Sequence, residues 1–500
     1  MMSGLFLGGN LFSPGRSAVF VGAVLAPIGF AGCALGPDYE RPAVATPAAM
    51  PDAASVTSSA ATVRLTSEPP LDRWWEVFGD ARLSELVASA RGRNEGLQAA
   101  IARVAIARAV LQGSTAPLFP SLSAGGQYAN QKQSLSAFDI PGIPYVRPFT
   151  ETELLQGSAD MAYELDLWGR IRRGREAAFA LALASEEDRK NVEITLTADV
   201  VSTYFDLGEA DASLAIARDG VSIRERTLAL VHSRMRTGLA QELDERRAEG
   251  ELEAARAQVP EAERQRAVAQ HRLAILLGHP PDVSFEGRPP ASFALPPEVP
   301  VGLPSTLLER RPDVRAAESR LRARNAGIGQ AKAGYFPTVT IIGHFGYAAL
   351  DGGDLAQPKA QLWQIGPSIS IPIFEGGKTY AAVLEAEART SEAVADYRDV
   401  ILRAFAEVAD AVVGISASMQ VRDHEAAAVR AQEQAVALAE SQFRKGLVSY
   451  IVVLDSQRTL LLSRTNLLRA QRELLRELVR LEKALGGGWT AAPEAAQEKS

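Results

Sequence analysis

The 500-residue chain is nearly devoid of cysteine, with Cys33 its only one. That excludes an internal disulfide framework and any cysteine-cluster metal site. Five histidines (His232, His271, His279, His344 and His424) are scattered, with no HExxH and no close pairing. GxGxxG, Walker A and GxSxG are absent as well. A net charge of −7 leaves no basic footprint for nucleic acid. The sequence therefore argues against a metal hydrolase, a nucleotide-dependent enzyme and a DNA binder, and predicts no catalytic residue and no cofactor. Disorder is excluded too, because 47% of residues are hydrophobic and 23% charged.

Proline is missing from 149–259 and again from 373–492, although the chain holds 28 prolines. Proline costs about 3 kcal/mol inside a helix, so these gaps mark long helices. They are filled with Ala, Leu, Arg, Glu and Gln, which are good helix formers. A helix over 169–237 is roughly 100 Å long at about 1.5 Å per residue. No ordinary globular core is that deep, so the helix needs partners along its whole length.

Charge is scarce at the N-terminus, where residues 1–32 carry only Arg16. An apolar stretch, Ala18–Gly32, follows and ends Phe30-Ala31-Gly32-Cys33. It resembles a bacterial lipoprotein signal, which implies cleavage before Cys33 and a covalent lipid on it; the alternative is a plain secretory signal. Removing 1–32 takes away one positive charge, so −7 − 1 gives −8. Residues 34–70, rich in Pro, Ala, Ser and Thr, read as an extended tether.

An internal repeat is the most informative feature. Leu118-Phe119-Pro120 recurs as Tyr335-Phe336-Pro337, Trp168-Gly169-Arg170 as Gly376-Gly377-Lys378, and Thr237-Gly238-Leu239 as Lys445-Gly446-Leu447. Gly169 to Gly238 is 69 residues, as is Gly377 to Gly446; Gly238 to Gly278 is 40, as is Gly446 to Gly486. Eight prolines at 280–304 separate the copies. The expected organisation is a signal at 1–32, an anchored segment at 33–79, a first repeat at 80–279, a linker at 280–304, a second repeat at 305–486 and a tail at 487–500. Each repeat holds a helix, two strands (about 120–132 and 153–167; about 337–348 and 362–374), a long helix (169–237; 377–445) and a return helix (240–278; 447–485).

The strand segments alternate with period two. Leu155, Gly157, Ala159, Met161, Tyr163 and Leu165 alternate with polar residues such as Gln156, Ser158, Asp160 and Glu164. Trp363, Ile365, Pro367 and Ile369 alternate with Gln364 and Ser368. Ten-residue runs with one apolar face suit an outer-membrane barrel wall; a half-buried soluble strand shows the same alternation. Trp168, Arg170, Trp363, Phe374 and Lys378, near strand ends, are expected at the membrane interface. Four strands cannot close a barrel, and open edges are not tolerated in hydrocarbon. The chain is thus predicted to share its barrel with copies of itself, eight strands from two copies or twelve from three.

These features together, with Cys33-Ala-Leu-Gly-Pro-Asp-Tyr-Glu-Arg-Pro42, Trp74-Trp75-Glu-Val-Phe-Gly-Asp80, Leu165-Asp-Leu-Trp-Gly-Arg170 and Ala484-Leu-Gly-Gly-Gly-Trp489, resemble the TolC-type outer-membrane efflux proteins. More narrowly, the chain resembles their lipoprotein, NodT-like branch, which works with resistance-nodulation-division pumps. The resemblance implies a mainly α-helical homotrimer with a transmembrane β part. Four strands per chain would make a shared 12-stranded barrel in the outer membrane, continued by a periplasmic α-helical barrel. It implies a passive duct for small molecules, docked on a periplasmic adaptor and an inner-membrane pump. By the same resemblance Gly238, Leu239, Gly446 and Leu447 would touch the adaptor. Asp455 would narrow the closed end, with Ile451 one turn before it and Arg458 paired to Asp455 or to a neighbouring helix. Three Asp455 carboxylates near one axis would raise one another's pKa and attract cations; the site often holding a second aspartate is Val452. Two other readings remain open at this stage: a conduit for type I protein secretion, and a periplasmic lipoprotein scaffold without a pore.

Overall fold

The structure, a computed structural model, describes residues 34–44, 55–57, 62–66, 71–134, 149–296, 298–300 and 308–487. Cys33 and the expected signal, residues 135–148 between the two strands of the first repeat, and the tail from 488 lie outside the described residues.

In chain order the elements are β1 (Ser55–Thr57), β2 (Thr62–Thr66), α1 (Ala81–Arg93), α2 (Glu95–Thr115), β3 (Ser121–Ser134), β4 (Phe149–Leu165), α3 (Arg170–Arg236) and α4 (Glu242–Leu276). They continue with β5 (Glu298–Pro300), α5 (Pro312–Lys332), β6 (Thr338–Ala349), β7 (Gln361–Ser370), α6 (Lys378–Arg444) and α7 (Tyr450–Ala484). The unit α2-β3-β4-α3-α4 thus recurs as α5-β6-β7-α6-α7. The repeat glycines explain the spacings: Gly169, Gly238, Gly278, Gly377, Gly446 and Gly486 all adopt positive φ. Each sits where a helix begins or ends in the left-handed region, which side chains disfavour.

Both long helices have 67 residues, about 100 Å at 1.5 Å per residue. Helices α2 and α5 flank the half nearest the sheet, and α4 and α7 return along the other half, so each long helix has neighbours over its length. Helix α4 continues through Pro260. On α7 the buried residues Tyr450, Val453, Leu454, Gln457 and Leu460 recur at three and four, the stripe that faces a partner helix.

The core is a belt midway along the helices. Trp74, Phe78 and Leu83 pack there with Phe205, Leu207, Leu273, Ile401, Ile415 and Leu478. Phe78, Phe205 and Phe293 meet edge to face, with centroids 5.1 Å apart for Phe78–Phe205 and Phe205–Phe293. The Pro-rich linker is therefore not loose. It is pressed onto α3 where Gly208 meets the backbone of Arg288, so closely that a Cβ on Gly208 would lie 2.1 Å from the Arg288 carbonyl oxygen.

Two further segments depart from expectation. The tether contributes β1 and β2, which pair antiparallel, and the linker contributes β5, which runs parallel to β2. Residues 34–44 form a strap along α5 and the start of α3. Leu35 N donates to Trp168 O at 3.2 Å, Arg173 Nε donates to Leu35 O at 3.1 Å, and Asn325 Nδ2 donates to Pro37 O at 3.0 Å. Glu318 accepts from both Arg41 and Arg322. Burial raises the Glu318 carboxyl, but the hydrogen bonds and charges of those two arginines outweigh it and hold the pKa below the usual range.

Candidate functional site: an open sheet and a helical tip

Strands β3, β4, β6 and β7 form one antiparallel sheet in that order. Its register sorts side chains by polarity. Leu122, Met161, Gly343 and Ile365 fall in one row, and Ala124, Ala159, Phe345 and Trp363 in another on the same face. Between them runs Ser123, Asp160, His344 and Gln364 on the opposite face, where His344 Nδ1 contacts Asp160 Oδ1. The apolar face is uncovered: Leu122, Trp363 and Ile365 are 77%, 70% and 65% exposed. Strands β3 and β7 have no outer neighbour among the described residues. A one-layer sheet with a bare apolar face, a polar back and two unpaired edges has no stable place in water. It is the wall of a larger closed ring whose outside meets lipid. Among the described residues no helix is long and apolar enough to cross a membrane.

The corner from sheet to helix is built by Leu165-Asp-Leu-Trp-Gly-Arg170. Asp166 accepts from the backbone N–H groups of Ile171 (3.0 Å) and Arg172 (2.8 Å), capping α3 in the absence of a capping side chain on Gly169. Arg170 grips Glu164 with two bonds, 3.0 and 2.6 Å. Trp168 stacks on Phe336 at 4.6 Å and donates its indole N–H to Pro337 O at 2.8 Å, tying the first corner to the start of β6. Trp168 and Arg170 are thus engaged within the chain. Trp363 lies at the loop end of β7, and Phe374 and Lys378 lie beyond its other end, all exposed.

At the far end the two hairpin turns are built alike. Gly238 N donates to Met235 O and Leu239 N to Arg234 O; Gly446 N donates to Phe443 O and Leu447 N to Gln442 O. This six-to-one pattern satisfies the last carbonyls of each long helix. It leaves Leu239 and Leu447 projecting, 66% and 71% exposed. The hairpins are locked together behind the turns. Arg234 of α3 donates to the carbonyls of Phe443 and Arg444 at the end of α6, and its guanidinium lies 4.5 Å from the Phe443 ring centroid. Beneath it Val231, Ala248, Phe443, Tyr450, Val453 and Leu454 form a small core.

Ile451, Asp455 and Arg458 all lie near the start of α7 and are exposed. Arg458 takes the neighbouring-helix option, donating to Glu251 of α4, with Nε to Oε2 at 3.1 Å. That hydrogen bond is the main reason its pKa is raised. Asp455 has no ion pair within the chain among the described residues and shares an exposed face with Ile451 one turn away. Sequence reading missed Arg234 and Glu251, because their partners lie on the other repeat and no motif marks them.

The chain matches the profile of the family described as outer membrane efflux protein, over residues 86–279 and again over 303–487. It is similar to the outer membrane protein OprJ of Pseudomonas aeruginosa, at 34% identity over 95% of this chain and 97% of that protein. It is likewise similar to the solvent efflux pump outer membrane protein SrpC of Pseudomonas putida, at 32% identity over 92% of this chain and 96% of the relative. Among solved structures, the outer-membrane channel OprN superposes with a TM-score of 0.78 at 32% identity, covering 91% of this chain and all of that one. The open-state outer membrane channel MtrE of Neisseria gonorrhoeae gives a TM-score of 0.77 at 28% identity, over 91% of this chain and 99% of the other. The unclosed sheet, the paired tall hairpins and a profile that fits each repeat in turn carry one conclusion: this chain belongs to the outer membrane efflux protein family.

Proposed function

We propose that three copies of this chain close a 12-stranded barrel in the outer membrane and continue it inward as a tunnel of long helices. The duct carries small toxic molecules outward from an inner-membrane resistance-nodulation-division pump joined to it by a periplasmic adaptor. The observation that carries this reading is the four-stranded sheet with one bare apolar face and unpaired edges. Two copies would supply eight strands, which leave an interior that side chains fill; a wider ring conducts. The exposed Leu239 and Leu447, on turns of identical construction, are the surfaces offered to the adaptor. Ile451 and Asp455 line the narrow end, and the Arg458–Glu251 pair holds α7 against α4 there. The duct performs no chemistry of its own; the pump selects the substrate.

Current through the purified protein in a planar bilayer tests the reading. A closed wild-type duct conducts poorly, and Asp455→Ala with Arg458→Ala raises the current and lowers the cation preference. A scaffold without a pore gives no current in either form. A lipid on Cys33 is supported by the strap, which brings Ala34 against Gly169 at the base of the sheet. Cys33→Ser abolishes labelling by radioactive palmitate, and persisting label refutes the anchor.

A further inference from the structure

We propose that His232, Glu245 and Glu249 form a binding site for a divalent transition-metal ion of the Zn²⁺ class, which staples the two arms of the first hairpin. His232 lies on α3, six residues before the Gly238 turn, or about 9 Å along the helix. Glu245 and Glu249 lie one turn apart on α4, so both carboxylates face the same neighbour. His232 Nδ1 stands 2.7 Å from Glu245 Oε1, and one donor atom from each of the three residues lies within 4.8 Å of the others. Donors around one tetrahedral ion, at about 2.0–2.2 Å from it, stand roughly 3.5 Å apart. The His232–Glu245 pair therefore has to open by a little under an ångström to admit the ion, and the half-exposed Glu249 has to close by about an ångström, which rotation of its side chain supplies.

The donor set selects the metal. An imidazole and two carboxylates suit zinc and its neighbours; calcium and magnesium prefer oxygen alone, and no thiolate is present to favour Cu(I). Glu245 is largely buried, with its side chain only 12% exposed, so its charge is poorly hydrated and gains most from a cation. The competing cation is Arg246. It donates to Glu249 at 2.9 Å and sits 3.7 Å from Glu242, but its side chain is 64% exposed and free to swing into solvent.

The second repeat is a built-in control. A shift of 208 residues carries Gly238 onto Gly446 and the three donors onto Glu440, Val453 and Gln457. There Gln457 Nε2 donates to Glu440 Oε1 at 2.9 Å, and Val453 is buried in the tip core. The same backbone positions are thus satisfied by one hydrogen bond and one apolar contact. A hairpin of this form does not need a histidine and two carboxylates, so the first copy carries them for another purpose.

The test is independent of whether the protein conducts. Full-length protein in detergent, stripped of metal, is titrated with ZnCl₂ by calorimetry, and bound Co²⁺ is followed by its visible absorption. One ion per chain is expected, unaffected by excess Mg²⁺. His232→Ala weakens binding by about 100-fold or more and abolishes the Co²⁺ band, and Glu249→Gln weakens it by roughly 10- to 100-fold. The triple variant His232→Glu, Glu245→Val and Glu249→Gln installs the full set of the second repeat, keeps the hairpin folded and loses the metal. Absence of stoichiometric Zn²⁺ uptake by the wild type, or unchanged affinity in His232→Ala, overturns the assignment.

Discussion

Replacing Arg234 by alanine strips the tip of one contact that joins the two hairpins beside the small core and the Arg458–Glu251 pair. The guanidinium donates to the Phe443 carbonyl and, at 3.3 Å, to the Arg444 carbonyl, and it lies over the Phe443 ring at 4.5 Å. A hydrogen bond to a charged group is worth about 1.5–3 kcal/mol, and an exposed cation–π contact adds about 0.5–1 kcal/mol. The positive charge also sits at the negative end of α6, a further favourable interaction of a few tenths of a kcal/mol or more. Arg234 is only half-buried, so water replaces part of what is lost, and a net loss of about 2–3 kcal/mol is expected. Amide exchange reads this locally. Gly446 N–H and Leu447 N–H are bonded to Phe443 O and Gln442 O in the same turn, at 2.9 Å each. Their exchange in the variant should rise roughly 30- to 150-fold, at about 1.4 kcal/mol per factor of ten. The Gly278 and His279 amides, at the opposite end of the hairpin, should not change. Arg234→Lys keeps the charge but not the flat stacking and should fall between the two. A change below about threefold at Gly446 and Leu447, in a protein whose helical content is intact, refutes the idea that Arg234 holds the hairpins together.

Other perturbations test the remaining parts. Ile365→Arg places a charge on the apolar face in the middle of β7 and should cost roughly 2–4 kcal/mol, emptying the outer-membrane fraction, whereas Gln364→Arg, one residue away on the polar face, should be assembled normally. Gly208→Ala drives a methyl into the Arg288 carbonyl, backbone against backbone, and should cost about 1–3 kcal/mol, read as a lower melting temperature and faster proteolysis of the linker. Burial pushes the Glu482 carboxyl from 4.5 up to about 8, against the opposing pull of Arg310. The folded chain therefore holds a proton that the unfolded chain has released, and stability falls as pH rises from about 4.5 towards 8, by up to roughly 5 kcal/mol. Glu482→Gln removes that slope, so wild type and variant unfold alike in denaturant at pH 4.5 but diverge at pH 8; parallel behaviour at both refutes it.

The tall helices were legible because their signals are one-dimensional. Proline gaps and repeated glycines set an expected 169–237 and 377–445, and the helices run Arg170–Arg236 and Lys378–Arg444. The strands were legible through their period of two. Strand β7 stops at Ser370, short of the expected 374, because Pro372 has no N–H to give the ladder. What stayed hidden depends on distant partners. Strands β1, β2 and β5 take three to five residues each from Pro-, Ala- and Ser-rich stretches, and the β2–β5 pairing joins segments more than 200 positions apart. At the tip, the sequence left Arg458 between Asp455 and a neighbouring helix; only the side-chain bridge that the fold sets between α7 and α4 reveals Glu251. The place of Trp168 at a strand end is plain in the sequence, but the bond from its indole to Pro337 of the other repeat is not.

The strap at residues 34–44 has a mechanical consequence. With Ala34 wedged beside Gly169 and Leu35 bonded on both sides, residues 34 and 35 are welded to the corner where sheet turns into helix. On the proposed reading, a lipid carried by the residue before them would be a mooring ring set at a fixed height on a mast, and the depth at which the cylinder rides in its membrane would be dictated from both sides at once, by the greasy band of the wall and by a hitch at its lower rim.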